Sequence, residues 1–238
     1  LVVLFSSPDT LNPRYLTRPR DRAAMHGIGI TAILSDGTFL KLGDYILGAD
    51  SIREEITDTS YTLVLDSDGA APGNTGSFTR TLGDGGLPVY TLRFDVHDEL
   101  QTEGERLRAR GELVFESLLP EWRCNGGYNF RGERDYHRWI VHVPRADARG
   151  HIELSSSSGG APERLTIARA VGYHDHNWGN TSIVKLTRRW HWGRAYDDDH
   201  TVIFAQVTPF FPRWLPFGPK GFDAVYIARN GSDPAAHE

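Results

Sequence analysis

The apolar positions of this chain recur in short runs, many alternating with polar ones, and nearly every run is closed by Gly, Asp, Asn or Ser. That pattern predicts strands and turns rather than helices. Ser35-Asp36-Gly37 separates a strand over 28–34 from one over 38–42, residues 66–69 close 61–65, and 83–86 precede 89–96. Residues 101–105 turn that last strand back onto 107–115. Further strands are expected over 138–143, 151–154, 165–173, 183–186, 189–196, 202–208 and 223–228. Helical periodicity is confined to 98–110, where Gly104 weakens it. About a dozen short strands predict an all-β barrel or sandwich. Two connections are longer, 70–77 and 209–221. The second carries Phe210, Phe211, Trp214 and Phe217, and reads either as a lid over a pocket mouth or as a packed surface loop. Residues 155–158, four serines before Gly159-Gly160, read as a hairpin tip.

The 238 residues suffice for one large β domain or two small ones. A formal net charge of -5 without a basic stripe argues against nucleic acid as partner. Cys124 is the only cysteine, so there is neither an internal disulfide nor a cysteine-rich zinc site. No apolar run reaches the roughly 18 residues of a transmembrane helix. The chain opens on Leu1 without Met and reads as a fragment or a processed form. Localisation therefore stays unknown: one cysteine slightly favours a reducing, cytoplasmic setting, and the truncated start leaves secretion open.

Gly172-Tyr173-His174-Asp175-His176-Asn177-Trp178-Gly179 packs an acid, two imidazoles, an amide, a phenol and an indole between two glycines. Ordinary core packing does not ask for that mixture. If the preceding strand runs through it, Tyr173, Asp175 and Asn177 share one face and His174, His176 and Trp178 the other. The two imidazoles could chelate zinc, iron or manganese, as in metal-dependent cupin-like enzymes. No third ligand stands at the usual spacing, and the nearby acids are Asp197, Asp198 and Asp199, so no metal and no other cofactor is expected. The plainer reading has both imidazoles orienting their neighbours. No Gly-x-Ser-x-Gly elbow or phosphate-cradling loop is present.

Asp175 is the sharper candidate. A carboxyl beside a phenol in apolar surroundings is held neutral and can act as a general acid. Protonating an alkene needs such an acid, with aromatic faces to steady the cation. The chain has six Trp, nine Tyr and eleven Phe, and Trp190, Trp192, Arg194 and Tyr196 would share one strand face. The competing view is an aromatic core in which Asp175 pairs with Arg194 or hydrogen-bonds Tyr173.

At 172–179 the sequence resembles the lipocalin-like family of carotenoid 1,2-hydratases (hydroxyneurosporene synthases). The run from His137 through Trp139 to Pro144-Arg145-Ala146 resembles the family's strand and Pro-Arg-Ala turn before that motif, and Trp190-His191-Trp192 fits downstream. The resemblance implies two lipocalin-like domains, of which residues 1–230 would be the first. Residues 231–238 would be a tail or the start of a linker to a second domain, absent from this chain, against which the first packs. It further implies that Asp175 protonates an isoprenoid double bond, with Tyr173 and a His-x-Trp pair, His137 and Trp139, as functional partners. Related members are cyclases, including hetero-Diels–Alder enzymes.

The expectation is thus an all-β, lipocalin-like domain around an apolar pocket. It would be a cofactor-independent hydratase or cyclase acting on a hydrophobic isoprenoid or polyketide–terpene molecule. Asp175, Tyr173 and His137 would be catalytic, and Trp139, Asn177, Trp178, Trp190, Trp192 and Arg194 would hold the substrate. The alternatives are a non-catalytic carrier of hydrophobic small molecules and the cupin-like metal enzyme.

Overall fold

A computed structural model of the protein describes residues 2–6, 27–33, 39–43, 52–57, 60–66, 75–99, 106–131, 136–179, 187–209 and 222–230. Among them the strands are β1 (Val2–Ser6), β2 (Gly27–Ile33), β3 (Phe39–Gly43), β4 (Ile52–Ile56), β5 (Tyr61–Asp66), β6 (Thr75–Leu82) and β7 (Pro88–Glu99). They continue with β8 (Arg106–Ser117), β9 (Tyr128–Arg131), β10 (Tyr136–Ser156), β11 (Glu163–Gly179), β12 (Thr187–Tyr196), β13 (His200–Pro209) and β14 (Phe222–Arg229). One 3-10 turn, Cys124–Gly127, precedes β9. The protein is all-β, in antiparallel sheets ordered β1-β2-β3, β11-β10-β8-β7-β6-β5-β4 with β9 on β10, and β12-β13-β14.

The chain divides into two compact units. Leu1–Phe115 with Ala148–Ala170 form one, and Glu116–Asp147 with Val171–Glu238 the other. In the first, β7 follows the period of two: Tyr90, Leu92, Phe94 and Val96 are buried, and Arg93 and Asp95 alternate with them. Leu92, Phe94 and Val96 pack with Ala109, Leu113 and Ile152. Apart from Ala109, each such side chain, once buried, contributes about 1.5–3 kcal/mol. The opposite face is laced by cross-strand ion pairs, Arg93–Glu112 at 2.5 Å, Arg108–Asp95, and Glu153 shared by Arg110 and Arg164 at 2.6 Å each. They are largely solvated and add little apiece. A groove lined by Arg93, Asp95, Arg110, Glu112 and His151 lies over them.

In the second unit, β10 buries His137, Trp139, Val141 and Val143 at alternate positions, and β13 does the same with Thr201, Ile203, Ala205 and Val207. Trp139, Val141, Ile203 and Ala205 form the core, joined by Trp122, Tyr173 and Tyr226. Trp122 is pinned to Val141 by backbone hydrogen bonds of 2.9 and 3.0 Å. Asp197 closes the β12–β13 turn, its carboxylate accepting the amides of Asp199 and His200 at 2.8 and 2.5 Å. These contacts hold that carboxyl below its usual range.

Several expectations change. Residues 98–110 are not helical where described: 98–99 end β7 and 106–110 begin β8. The strands expected over 138–143 and 151–154 are one 21-residue strand, β10. The Pro-Arg-Ala segment is therefore strand rather than turn, because Arg145 O still accepts the Leu118 amide at 2.9 Å. The connection at 70–77 ends in β6, and the strand expected to stop at Tyr173 runs through the motif to Gly179. Residues 157–160 do turn β10 into β11, with Gly159 and Gly160 at φ of 101° and 111°. The segments 183–186, 210–221 and 231–238 lie outside the described residues.

Candidate functional site

Because β11 stays extended through the motif, its side chains alternate as the sequence predicts. Tyr173 and Asp175 meet on one face, the Tyr173 hydroxyl donating to Asp175 Oδ2 at 3.1 Å. From β10, Trp139 donates its indole N–H to the same oxygen at 2.7 Å. The phenol and the indole thus both donate to Oδ2, and the backbone amide of Asp175 adds a further hydrogen bond to the carboxyl. Desolvation is the largest influence on this carboxyl and raises its pKa; the Trp139 and Tyr173 hydrogen bonds and the charge of Arg194 pull partly against it. Burial and the neighbouring carboxylate also push the Tyr173 hydroxyl up, so it stays a donor.

Aromatic rings pack on the two side chains that donate to Asp175. Trp122 meets Trp139 edge-on at 5.5 Å between ring centres and tilts against Tyr226 at 5.2 Å. Trp192 lies 5.5 Å from the Tyr173 ring. Arg194 sets its guanidinium 4.7 Å over Tyr173, 5.7 Å from Tyr196 and 5.9 Å from Trp192. Among the described residues no cationic side chain comes within 4.0 Å of the Asp175 carboxylate, so the ion pair with Arg194 is not formed, while the hydrogen bond to Tyr173 is. His137 stands two residues before Trp139, and burial lowers its pKa to about 4, keeping the imidazole neutral. Asn177 Oδ1 is buried without a hydrogen-bond partner among the described residues. The Tyr226 hydroxyl is in the same position, and burial pushes its pKa up to about 12.

Of the predicted site residues, Tyr173, Asp175, Trp139, Trp192 and Arg194 come together. Trp190 shares a β12 face with Trp192, is 43 % exposed, and makes no described contact with the acid. Trp178 does not join the acid: it lies on the opposite face, stacked 4.7 Å from His176, with the Arg138 guanidinium 4.8 Å over its ring. There His142 of β10 packs its ring 5.4 Å from His174 and 6.1 Å from His176. Its Nδ1–H donates to Glu121, which also holds Arg123. Burial lowers His174 to about 3 and brings His176 down as well. Among the described residues no set of three His, Cys, Asp or Glu is arranged to hold a metal ion.

Sequence reasoning missed Trp122, Tyr226, His142 and Glu121. The one available signal was His142 at an even offset from Arg138 on a strand; Trp122 lies in an isolated bridge that no periodicity announces.

No protein-family model matches the chain. A protein of Chlorobaculum tepidum named hydroxyneurosporene dehydrogenase is 35% identical over 83 residues, 35% of this chain and 20% of the relative. The similarity is therefore partial, and the name is that of a dehydrogenase rather than a hydratase.

Proposed function

We propose that the protein is an isoprenoid-related enzyme of lipocalin-like architecture that uses Asp175 as a general acid on a carbon–carbon double bond. The observation that carries this reading is the Asp175 carboxyl: desolvated among aromatic rings, held by two neutral donors on one oxygen, and free of an ion pair among the described residues. A carrier of hydrophobic molecules gains nothing from a raised acid; an alkene-protonating enzyme depends on one. The partial likeness to a protein named for a hydroxyneurosporene activity supports an isoprenoid substrate.

In a hydration, the carboxyl proton of neutral Asp175 moves to one alkene carbon as the π bond breaks. The cation on the other carbon is steadied by the faces of Trp139 and Trp192. Water then forms the C–O bond and returns a proton to the Asp175 carboxylate, so that net water is added and the acid restored. An internal nucleophile in place of water makes the same sequence a cyclisation.

The test is turnover of candidate isoprenoid alkenes, in deuterated water, by wild type and Asp175→Asn. A positioned acid contributes about 10²–10⁴-fold in rate. Loss of that order in a folded variant, with deuterium incorporated by wild type, supports the reading; near-normal turnover by Asp175→Asn removes it.

A further inference from the structure

We infer that two copies of this chain associate through β14, each pairing that strand antiparallel with the other's about a two-fold axis at Tyr226. The β12-β13-β14 sheet of each copy then becomes half of a six-stranded one.

Among the described residues β14 pairs with β13 and ends its sheet. The far edge of such a strand presents N–H and C=O groups to any further strand. Proteins usually guard these edges with a proline, a lysine or a bulge. β14 reads Phe-Asp-Ala-Val-Tyr-Ile-Ala-Arg and holds neither proline nor lysine. Its register against β13 runs unbroken from Val207–Phe222 to His200–Arg229, so no bulge turns the edge away.

Alternation divides its side chains. Tyr226 packs on the core and Ala228 is buried, while Asp223, Val225, Ile227 and Arg229 lie exposed on the other face. Val225 and Ile227 are 63 % and 65 % exposed, and Phe204, opposite Val225 on β13, is 44 % exposed. Gly193, opposite Phe204 on β12, makes room for that ring: a Cβ there would come 2.5 Å from two of its atoms. The three side chains form one apolar patch at the edge of a sheet, a feature that marks association surfaces.

The order of charges along β14 selects a second copy as the occupant. When two identical strands pair antiparallel about Tyr226, Asp223 faces Arg229 of the second copy and Val225 faces its Ile227. The two-fold axis repeats both contacts, as an isologous interface requires. All four outward side chains thus meet a complementary one. A slip of two residues either way sets Asp223 opposite Ile227, or Arg229 opposite Val225. Asp223 and Arg229 already have contacts within their own chain. Exposed polar contacts contribute little and exchange readily, so they do not hold the strands apart.

Sedimentation velocity of the intact chain over about 1 to 200 µM tests the association. A species of twice the 26.6 kDa chain mass should grow with concentration. Asp223→Arg alone, or Arg229→Asp alone, sets like charges opposite each other at both ends of the new ladder. Each should weaken dimerisation at least about tenfold. Mixed in equal amounts, these two variants carry opposite charges and should recover the dimer that neither forms well by itself. Val225→Lys should abolish dimerisation without recovery in any mixture. Ile227→Lys tests the same contact if Val225→Lys does not fold, and melting curves check every variant. A chain that stays monomeric over the whole range overturns the inference and leaves the patch to another occupant. A dimer indifferent to the charge variants, or charge variants that fail to recover on mixing, overturns it equally.

Discussion

The indole N–H of Trp139 meets Asp175 Oδ2 at 2.7 Å, joining two residues 36 apart in sequence. The tryptophan has two jobs there. Its ring, only 3 % exposed, is part of the core that strips water from the carboxyl, and its N–H is the strongest group restraining the rise that follows. Acidity at this site is a balance between burial and hydrogen bonding, and each partner can be removed separately.

Trp139→Phe keeps most of the apolar bulk and deletes the donor. A hydrogen bond to a charged group contributes about 1.5–3 kcal/mol, so the ionised form of Asp175 loses that support and its pKa rises further. Activity that needs neutral Asp175 falls as pH rises through this pKa. The alkaline limb of the pH–rate profile should therefore move to higher pH in Trp139→Phe, and by less in Tyr173→Phe. Limbs that stay in place in both variants would contradict the assignment.

The same balance makes Asp175 a stability liability. Its folded pKa lies above the unfolded one, so it favours the folded state fully only below the unfolded value of about 3.8, and that contribution is lost as pH rises through the folded pKa. Asp175→Asn stays neutral at every pH. It should melt at a higher temperature than wild type at pH 7.5, with the gap closing toward pH 3.5. Scanning calorimetry at the two pH values measures it.

Two imidazoles run the other way. His137 and His174 titrate near 4 and 3 in the folded protein, against about 6.5 unfolded. Below pH 6.5 the unfolded chain binds more protons, so stability is intact above that value and falls as pH drops toward 4. Each imidazole contributes a slope of roughly 1.4 kcal/mol per pH unit in that window. Urea midpoints at pH 7.5, 6.5, 5.5 and 4.5 should fall progressively, and less steeply in His174→Gln. A flat profile would show both imidazoles solvated.

The fold class was readable because turn residues punctuate alternating runs, and alternation also assigned Tyr173 and Asp175 to one face. Strand length was not readable. Pro144 and Gly150 look like breaks, yet β10 passes through both, because pairing with neighbouring strands decides where a strand ends. The hydrogen-bonded trio of Asp175, Tyr173 and Trp139 was legible from the motif and the resemblance it carries. Tyr226 and Trp122 were not, since their place against the core around Trp139 follows from tertiary pairing that leaves no mark on local periodicity. Trp178 shows the limit of proximity in sequence: three positions from Asp175, it points away.

Gly150 explains how β10 survives its glycine. At φ of 145° it lets the strand pass close to β8, where an added Cβ would come 2.0 Å from the Glu112 carbonyl oxygen. Across the pair, a Cβ on Gly111 would come 2.3 Å from His151 O. Backbone cannot retreat as a side-chain tip can. Gly150→Ala should cost about 3 kcal/mol or more, through overpacking and backbone strain together, and Gly111→Ala somewhat less. Gly85→Ala, with nothing within 4 Å of the new Cβ, is the control and should be near neutral. Denaturant unfolding of the three variants ranks them.

The imidazole face of β11 provides the last separation. His142, His174 and His176 sit with Glu121, Arg138 and Trp178 on the side of the strand away from Asp175. Burial keeps His174 and His176 neutral, and the Glu121 carboxylate fixes the tautomer of His142. Such a cluster orients β11 against β10 without touching the acid. His142→Ala and Glu121→Ala should each cost roughly 0.5–2 kcal/mol and couple in a double-mutant cycle, while turnover per folded molecule stays close to wild type. Dialysis against EDTA should leave that turnover unchanged as well. One equivalent of zinc, iron or manganese surviving dialysis, lost together with activity in His174→Ala, would move the chemistry to the other face of the strand and make the protein a metal enzyme.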